Sequence, residues 1–230
     1  MGLFEGFKIK QLTKMLLEGS LTTIEVTALS LLIALVIGLL MCLAGMSKVK
    51  PLKWISRFYI WIIRGTPFIV QLFIIHFGLP ELIGALTGSR FIIRPFTSAT
   101  VTLALNAGAY TAEIFRGGIS AIDKGQMEAA RSLGLSKGRA MLKVVLPQAF
   151  KICVPSLCNQ FIITLKDSSL ATVIALDEIT HKGELFLGTE GSKGVFATYL
   201  IIGLFYLVII TILSAFIKMI ERRLDVGNKG

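Results

Sequence analysis

"GQMEAARSLGLSKGRAMLKVVLP" occupies Gly125–Pro147. It is polar and amphipathic, and Arg131, Lys137, Arg139 and Lys143 make it basic. The chain around it has the opposite character: of 230 residues, 54% are hydrophobic and 17% charged. The apolar residues gather in runs. Val26–Met46 and Val195–Ile217 carry no charge, Phe96–Phe115 carries only Glu113, and Trp54–Leu79 carries only Arg57 and Arg64. Each run is close to the roughly 20 residues a helix needs to cross a bilayer's hydrocarbon core. One such run can be a buried core helix; several in one small chain indicate a polytopic membrane protein. The first run starts too late and is too long for the apolar part of a secretory signal.

A further span, Ala149–Leu165, is interrupted by Pro155, Asn159 and Gln160 and ends at the polar break Lys166-Asp167-Ser168-Ser169. Leu170–Leu176 is too short to cross and reads as a segment that dips back. The expected fold is therefore an all-α integral membrane protein with about five transmembrane helices. Residues 1–19 form an amphipathic surface segment, 20–220 the transmembrane domain with a projecting segment at 116–148, and 221–230 a tail. In the first segment Phe4, Phe7, Ile9, Leu12, Met15 and Leu16 alternate with Lys8, Lys10 and Lys14, which suggests a short helix lying on the membrane surface.

The larger share of Lys and Arg lies in Ser47–Arg57, Arg116–Lys151 and the tail from Lys218. The smaller share lies in the N-terminal segment, Pro80–Pro95 and Lys166–Lys193. The positive-inside rule then puts the C-terminus and the opening segment in the cytoplasm and the N-terminus outside. The net charge of +10 flanks apolar spans, so it points to lipid headgroups and orientation rather than nucleic acid. Cys42, Cys153 and Cys158 lie in apolar stretches without metal-ligand spacing and read as small buried hydrophobes. His76 and His181 have no ligand cluster around them, so no metal is expected.

Within the opening segment, Asp123 can cap a helix over about Lys124–Leu133, with Gln126 reaching back in a variant capping box. Glu128 sits early in that helix, where the dipole favours an acid. Gly134 can take the left-handed conformation that ends it. Ser136 can cap a second helix, about Lys137–Leu146, with Pro147 marking its end. Ala129 and Ala130 leave a shallow face that suits docking in a partner's groove. The alternative is a solvated amphipathic loop packed on its own membrane helices.

Glu128-Ala129-Ala130, then Gly134, then Val144-x-Leu146-Pro147 resembles the EAA motif of ABC importer permeases, with Val144 where the family usually has Ile. Arg64-Gly65-Thr66-Pro67 with Gln71, Ala109-Tyr110-Thr111-Ala112-Glu113-Ile114-Phe115-Arg116-Gly117-Gly118-Ile119, Gly125-Gln126 and Lys166-Asp167-Ser168-Ser169-Leu170 resemble the branch that imports polar amino acids. The resemblance covers about residues 20–220. It implies the permease fold of a type I importer in the cytoplasmic (inner) membrane of a prokaryote. It also implies a second permease chain (the same or a different one), two cytoplasmic ATPase subunits and an extracytoplasmic solute-binding protein. Gln126, Glu128, Ala129, Ala130, Gly134, Leu146 and Pro147 would form the coupling elbow, moved when the ATPase closes on nucleotide. The chain has no phosphate-binding loop: Gly188-Thr-Glu-Gly-Ser-Lys-Gly fails on spacing and on its last residue. ATP and Mg are thus expected on the partner ATPase, and no cofactor on this chain.

Polar groups at membrane depth are expensive and raise a functional hypothesis. Asn106, Tyr110 and Glu113 share one helix face by their spacing. Asn159, Gln160 and Thr164 cluster before Lys166 and Asp167. Thr66 and Gln71 flank a proline. These residues are the candidate substrate pathway, offering donors for a carboxylate and acceptors for an ammonium. Against this, Arg64, Glu113 and Arg116 can simply pair with one another, and Asn and Gln can tie helices together. An ion-gradient-driven secondary amino acid transporter would use Glu113 and Asp167 as ion sites, but it leaves the elbow without a purpose and expects an internal repeat that is not found.

Overall fold

The computed structural model describes residues 8–190 and 194–223, and among these every regular element is helical. In chain order they are α1 (Ile9–Met46), α2 (Lys50–Arg64), α3 (Phe68–Phe73), a π segment (Ile74–Gly78), α4 (Leu79–Thr87), α5 (Pro95–Ser120), α6 (Lys124–Ser132) and α7 (Lys137–Ala140). A second π segment (Met141–Val145), α8 (Leu146–Asp167), a 3-10 segment (Ser168–Ile174), α9 (Ile179–Glu190) and α10 (Val195–Arg223) complete it. Residues 1–7 of the expected surface segment and 224–230 of the tail lie outside the described residues.

Among the described residues, four helical stretches are long and apolar enough to cross a membrane: Ile9–Met46, Phe68–Thr87, Lys137–Ile174 and Val195–Met219. The remaining expected span, Phe96–Phe115, falls inside the 26-residue α5. Its composition is less apolar because it is built of small residues, and these are buried. Ala104, Ala107, Gly108, Thr111 and Ala112 all face inward. They let α1 come close: a Cβ on Gly38 would lie 2.5 Å from the Thr111 side chain, and one on Gly108 would lie 2.9 Å from Ile37. Small residues of this kind drive packing in lipid, where no hydrophobic effect separates helix from solvent. Ser30 adds a hydrogen bond from α1 to the Thr100 carbonyl, 3.1 Å.

The structure differs from the sequence reading in four places. First, there is no break at residue 19. α1 runs unbroken from Ile9, and Leu12 and Leu16 are fully buried with Ile179, Phe186 and Ile202. In the described part of the apolar stripe, Leu12, Met15 and Leu16 pack against α9 and α10.

Second, Trp54–Leu79 is not one span: it stops at Gly65-Thr66-Pro67, and a new helical run covers 68–87. Third, Pro147 does not end its helix. The preceding π segment widens the turn, so the missing proline N–H breaks no regular ladder, and helix continues into α8. Fourth, the stretch Lys166–Lys193 holds α9 as well as loop.

Glu178, just before α9, is fully buried. Its carboxylate accepts from the Thr180 and His181 amides (2.9 and 2.7 Å) and from the Tyr206 hydroxyl (2.7 Å). It thus caps α9 and ties it to α10. Burial pushes this carboxyl up, and those hydrogen bonds pull it part of the way back. The dipping segment does enter the core: Ala171, Ile174 and Leu176 pack with Val26, Leu72, Ala99 and Leu103.

Candidate functional site

Two polar regions stand out, a groove and an elbow. The groove opens along α5 and α8, with the end of α2 on its rim. Arg64, Tyr110, Glu113, Ser156, Asn159 and Gln160 line it. Four of the expected pathway residues therefore meet in one place. Ser156 joins them unforeseen; its only sequence signal is its place beside Pro155.

Glu113 is held mainly by Arg116, one turn on: Arg116 Nε donates to Glu113 Oε1 at 3.0 Å and a second guanidinium nitrogen reaches Oε2. Arg64 approaches the same Oε2 only to 3.7 Å. Its guanidinium carbon lies 5.2 Å from the centre of the Tyr110 ring, within cation–π range.

The other expected pathway residues do different work. Pro67 has no N–H to offer the Ile63 carbonyl, the bond a regular helix would make. Gln71 replaces it. Its Nε2 donates to Ile63 O at 2.8 Å, Thr66 Oγ1 at 2.9 Å and Thr66 O at 3.1 Å. Thr66 in turn donates to Ile62 O at 2.8 Å. Asn106, on α5, donates to Gln71 Oε1 at 3.0 Å. Thr66, Gln71 and Asn106 thus close a broken helix end and fasten it to α5. Thr164 is buried, and its hydroxyl donates to the Gln160 carbonyl at 2.9 Å. Lys166 and Asp167 fall in the last turn of α8, beyond the groove.

The elbow is α6, a tight turn and α7. Asp123 caps α6 by accepting from the Gly125 amide at 2.6 Å. Gln126 does not reach back as the capping box requires; its side-chain oxygen accepts from Gln148 at 3.3 Å, linking α6 to α8. At the other end Gly134 has φ +86°. The Gly134 amide donates to Arg131 O (3.0 Å) and the Leu135 amide to Ala130 O (3.2 Å), the paired bonds of a Schellman ending. Ser136 then caps α7 through the Arg139 amide, 3.5 Å. The two alanines part company: Ala130 is buried against the elbow, whereas Ala129 is exposed beside Glu128. Leu146 is half-buried and Pro147 exposed.

Known proteins share this architecture. Residues 15–226 match the family described as binding-protein-dependent transport system inner membrane component. The arginine transport system permease protein ArtQ of Bacillus subtilis (strain 168) is 39% identical over 209 residues, covering 91% of this chain and 92% of ArtQ. The glutamine transport system permease protein GlnP of Escherichia coli (strain K12) is 38% identical over 216 residues, 92% of this chain and 94% of GlnP. Among solved structures, an amino acid ABC transporter crystallised with histidines superposes with a TM-score of 0.86 at 36% identity, covering 97% of this chain and 99% of that one. The methionine ABC transporter MetNI, facing inward, shares the fold with a TM-score of 0.73 at 19% identity, over 92% of this chain and 97% of its own.

Proposed function

The chain belongs to the binding-protein-dependent transport system inner membrane components, the permeases of ABC importers, and from that premise we propose that it moves a polar amino acid inward. In this reading separate cytoplasmic ATPase subunits drive it through the α6 elbow. A second permease chain completes the pore, and an extracytoplasmic binding protein delivers the solute. The N-terminus lies outside and the C-terminus in the cytoplasm. The family is one of transport components rather than enzymes; hydrolysis of ATP belongs to the partner subunits.

The observation that carries the coupling role is the build of α6. It is short, capped at both ends by its own chain, and exposes Ala129 and Glu128 while Ala130 anchors it. The small side chain of Ala129 leaves room on the exposed face for a partner's cleft to close around the helix. The two ends hold it as a rigid lever, and Gln126 links it to α8 through Gln148. Leu146 and Pro147 lie where the elbow passes into that helix, so movement of α6 reaches the groove along one continuous helical run.

The amino acid reading is supported by the relatives' substrates and by the groove, which is lined by a guanidinium, two hydroxyls and two amides, groups that suit a zwitterion.

Ala129→Arg tests the coupling. The variant is expected in the membrane at normal abundance, with its ATPase subunit lost on affinity purification and ATP-driven uptake abolished. Coupled uptake at the parent rate in that variant would sink the docking role and return the ion-gradient reading to the front.

A further inference from the structure

The contacts of Arg64 leave its charge largely unspent. The groove holds two guanidinium groups nearby and one carboxylate. Arg116 takes both oxygens of Glu113 in a two-pronged pair, the strongest geometry available to that acid. What remains for Arg64 is a contact of 3.7 Å and the face of the Tyr110 ring. The ring fixes the guanidinium without occupying its N–H donors. Among the described residues the cluster of Arg64, Glu113 and Arg116 therefore carries one excess positive charge, and its free donors belong to the residue on the groove's rim.

We propose that Arg64 receives the substrate's α-carboxylate in the groove, and that Gln71 is the positioning residue that holds Arg64 there. The inference rests on the amino acid reading above and sharpens it. It makes the carboxylate, rather than a cationic side chain at Glu113, the group this groove selects.

The reason lies in the break after α2. Arg64 is the last residue of α2, one turn before a proline. An ending of that kind has loose carbonyls and no preferred direction. Gln71 satisfies the carbonyls of Ile63 and Thr66, and Asn106 fixes the Gln71 amide from α5. α5 is also the helix that carries Tyr110 and Glu113. Arg64 and its two neighbours are therefore referenced to one helix through a buried amide. A planar fork binds a carboxylate through two parallel hydrogen bonds, which a flexible lysine does less well. Across the groove, Asn159 is exposed and offers an amide oxygen to the ammonium.

The test uses the permease purified with its ATPase subunits and without a binding protein, so that selection upstream is removed. Saturation-transfer NMR reads binding of L-glutamine, L-arginine and their α-carboxamides. The parent complex is expected to favour each acid over its amide by about tenfold or more, a preference worth one decade in affinity. Arg64→Gln should bring that ratio to about one by weakening the acids alone. Arg64→Lys should keep part of the preference. Gln71→Leu should weaken the acids more than the amides, because the guanidinium is present but no longer aimed.

Equal weakening of acids and amides in Arg64→Gln, or an unchanged preference in a complex that still assembles and hydrolyses ATP, overturns the assignment. Uptake separates the two levels. A parent complex that moves no amino acid in ATP-loaded proteoliposomes, with binding protein supplied, defeats the amino acid reading and this inference with it. Uptake by the parent alongside an unchanged acid preference in Arg64→Gln defeats only the role of Arg64.

Discussion

Two of the breaks between helices, at the elbow and at the end of α2, are closed by different means. At the elbow, the ends of α6 and α7 are satisfied by residues within a few positions: Asp123 to Gly125, Gly134 to Arg131, Leu135 to Ala130, Ser136 to Arg139. At the end of α2, the carbonyls freed by Pro67 are met by Gln71, and Gln71 is itself held by Asn106 from another helix. The elbow is a self-contained part that can move as a unit. The break is a joint whose geometry depends on α5. That division suits a machine in which one part transmits force and the other orients a binding group.

The largest effect of breaking this contrast is expected at Gln71. Gln71→Leu keeps bulk but removes every hydrogen bond that the Gln71 side chain makes, stranding the half-buried Ile63 O and Asn106 amide. One to two unsatisfied groups cost about 3 kcal/mol together. A clear fall in the thermal midpoint of the detergent-purified protein is the expected outcome. An unchanged midpoint would mean that lipid or the second permease chain, rather than Gln71, holds the joint.

A smaller effect is expected at the elbow. Gly134 has φ +86° with open space around its Cβ position, so Gly134→Ala meets no neighbour and costs only backbone strain. That strain is about 1 kcal/mol for a residue with a side chain in the left-handed region. Global stability should barely move, because α6 is exposed. ATP-coupled uptake should drop several-fold while ATPase binding persists, since the angle between α6 and α7 changes. Equal losses of binding and uptake would show that the elbow's shape serves docking alone.

The same contrast explains what could be read in advance. Everything closed locally was legible: Asp123, Gly134 and Ser136 carry cap and turn chemistry in their residue types, and the structure places them in those roles. Spans were legible where composition is uniform, as in α10. Whatever depends on a distant partner was not. Nothing local distinguishes Gln71 as the substitute for a proline's missing donor, so it read as a pathway residue. Leu12 and Leu16 read as membrane-facing because an amphipathic stripe does not say whether lipid or protein covers it. Pro147 read as a stop because the π segment that absorbs it leaves no mark in residue type.

A third helix ending lies between the two kinds, and there the smallest effect is expected, with the opposite sign. The 3-10 segment ends at Ala175, whose φ is +57°, the same left-handed region Gly134 occupies. Its bonds are local, with the Ala175 amide to Thr172 O at 2.9 Å and the Leu176 amide to Ala171 O at 3.2 Å. The residue, however, is the wrong type for the turn. Ala171, Ile174 and Leu176 are buried on either side, and Glu178 anchors the chain two residues further on. Tertiary packing therefore imposes a conformation that the local residue resists. Ala175→Gly relieves the steric cost but adds the greater freedom of glycine in the unfolded chain, so the net gain is only about 0.5 kcal/mol. A small rise in thermal midpoint is the expected result, with uptake unchanged or slower if the strained turn helps the dipping segment move. A fall in midpoint would mean that the alanine methyl contributes more to packing than its backbone costs, and that this ending belongs with the joint at α2 rather than with the elbow.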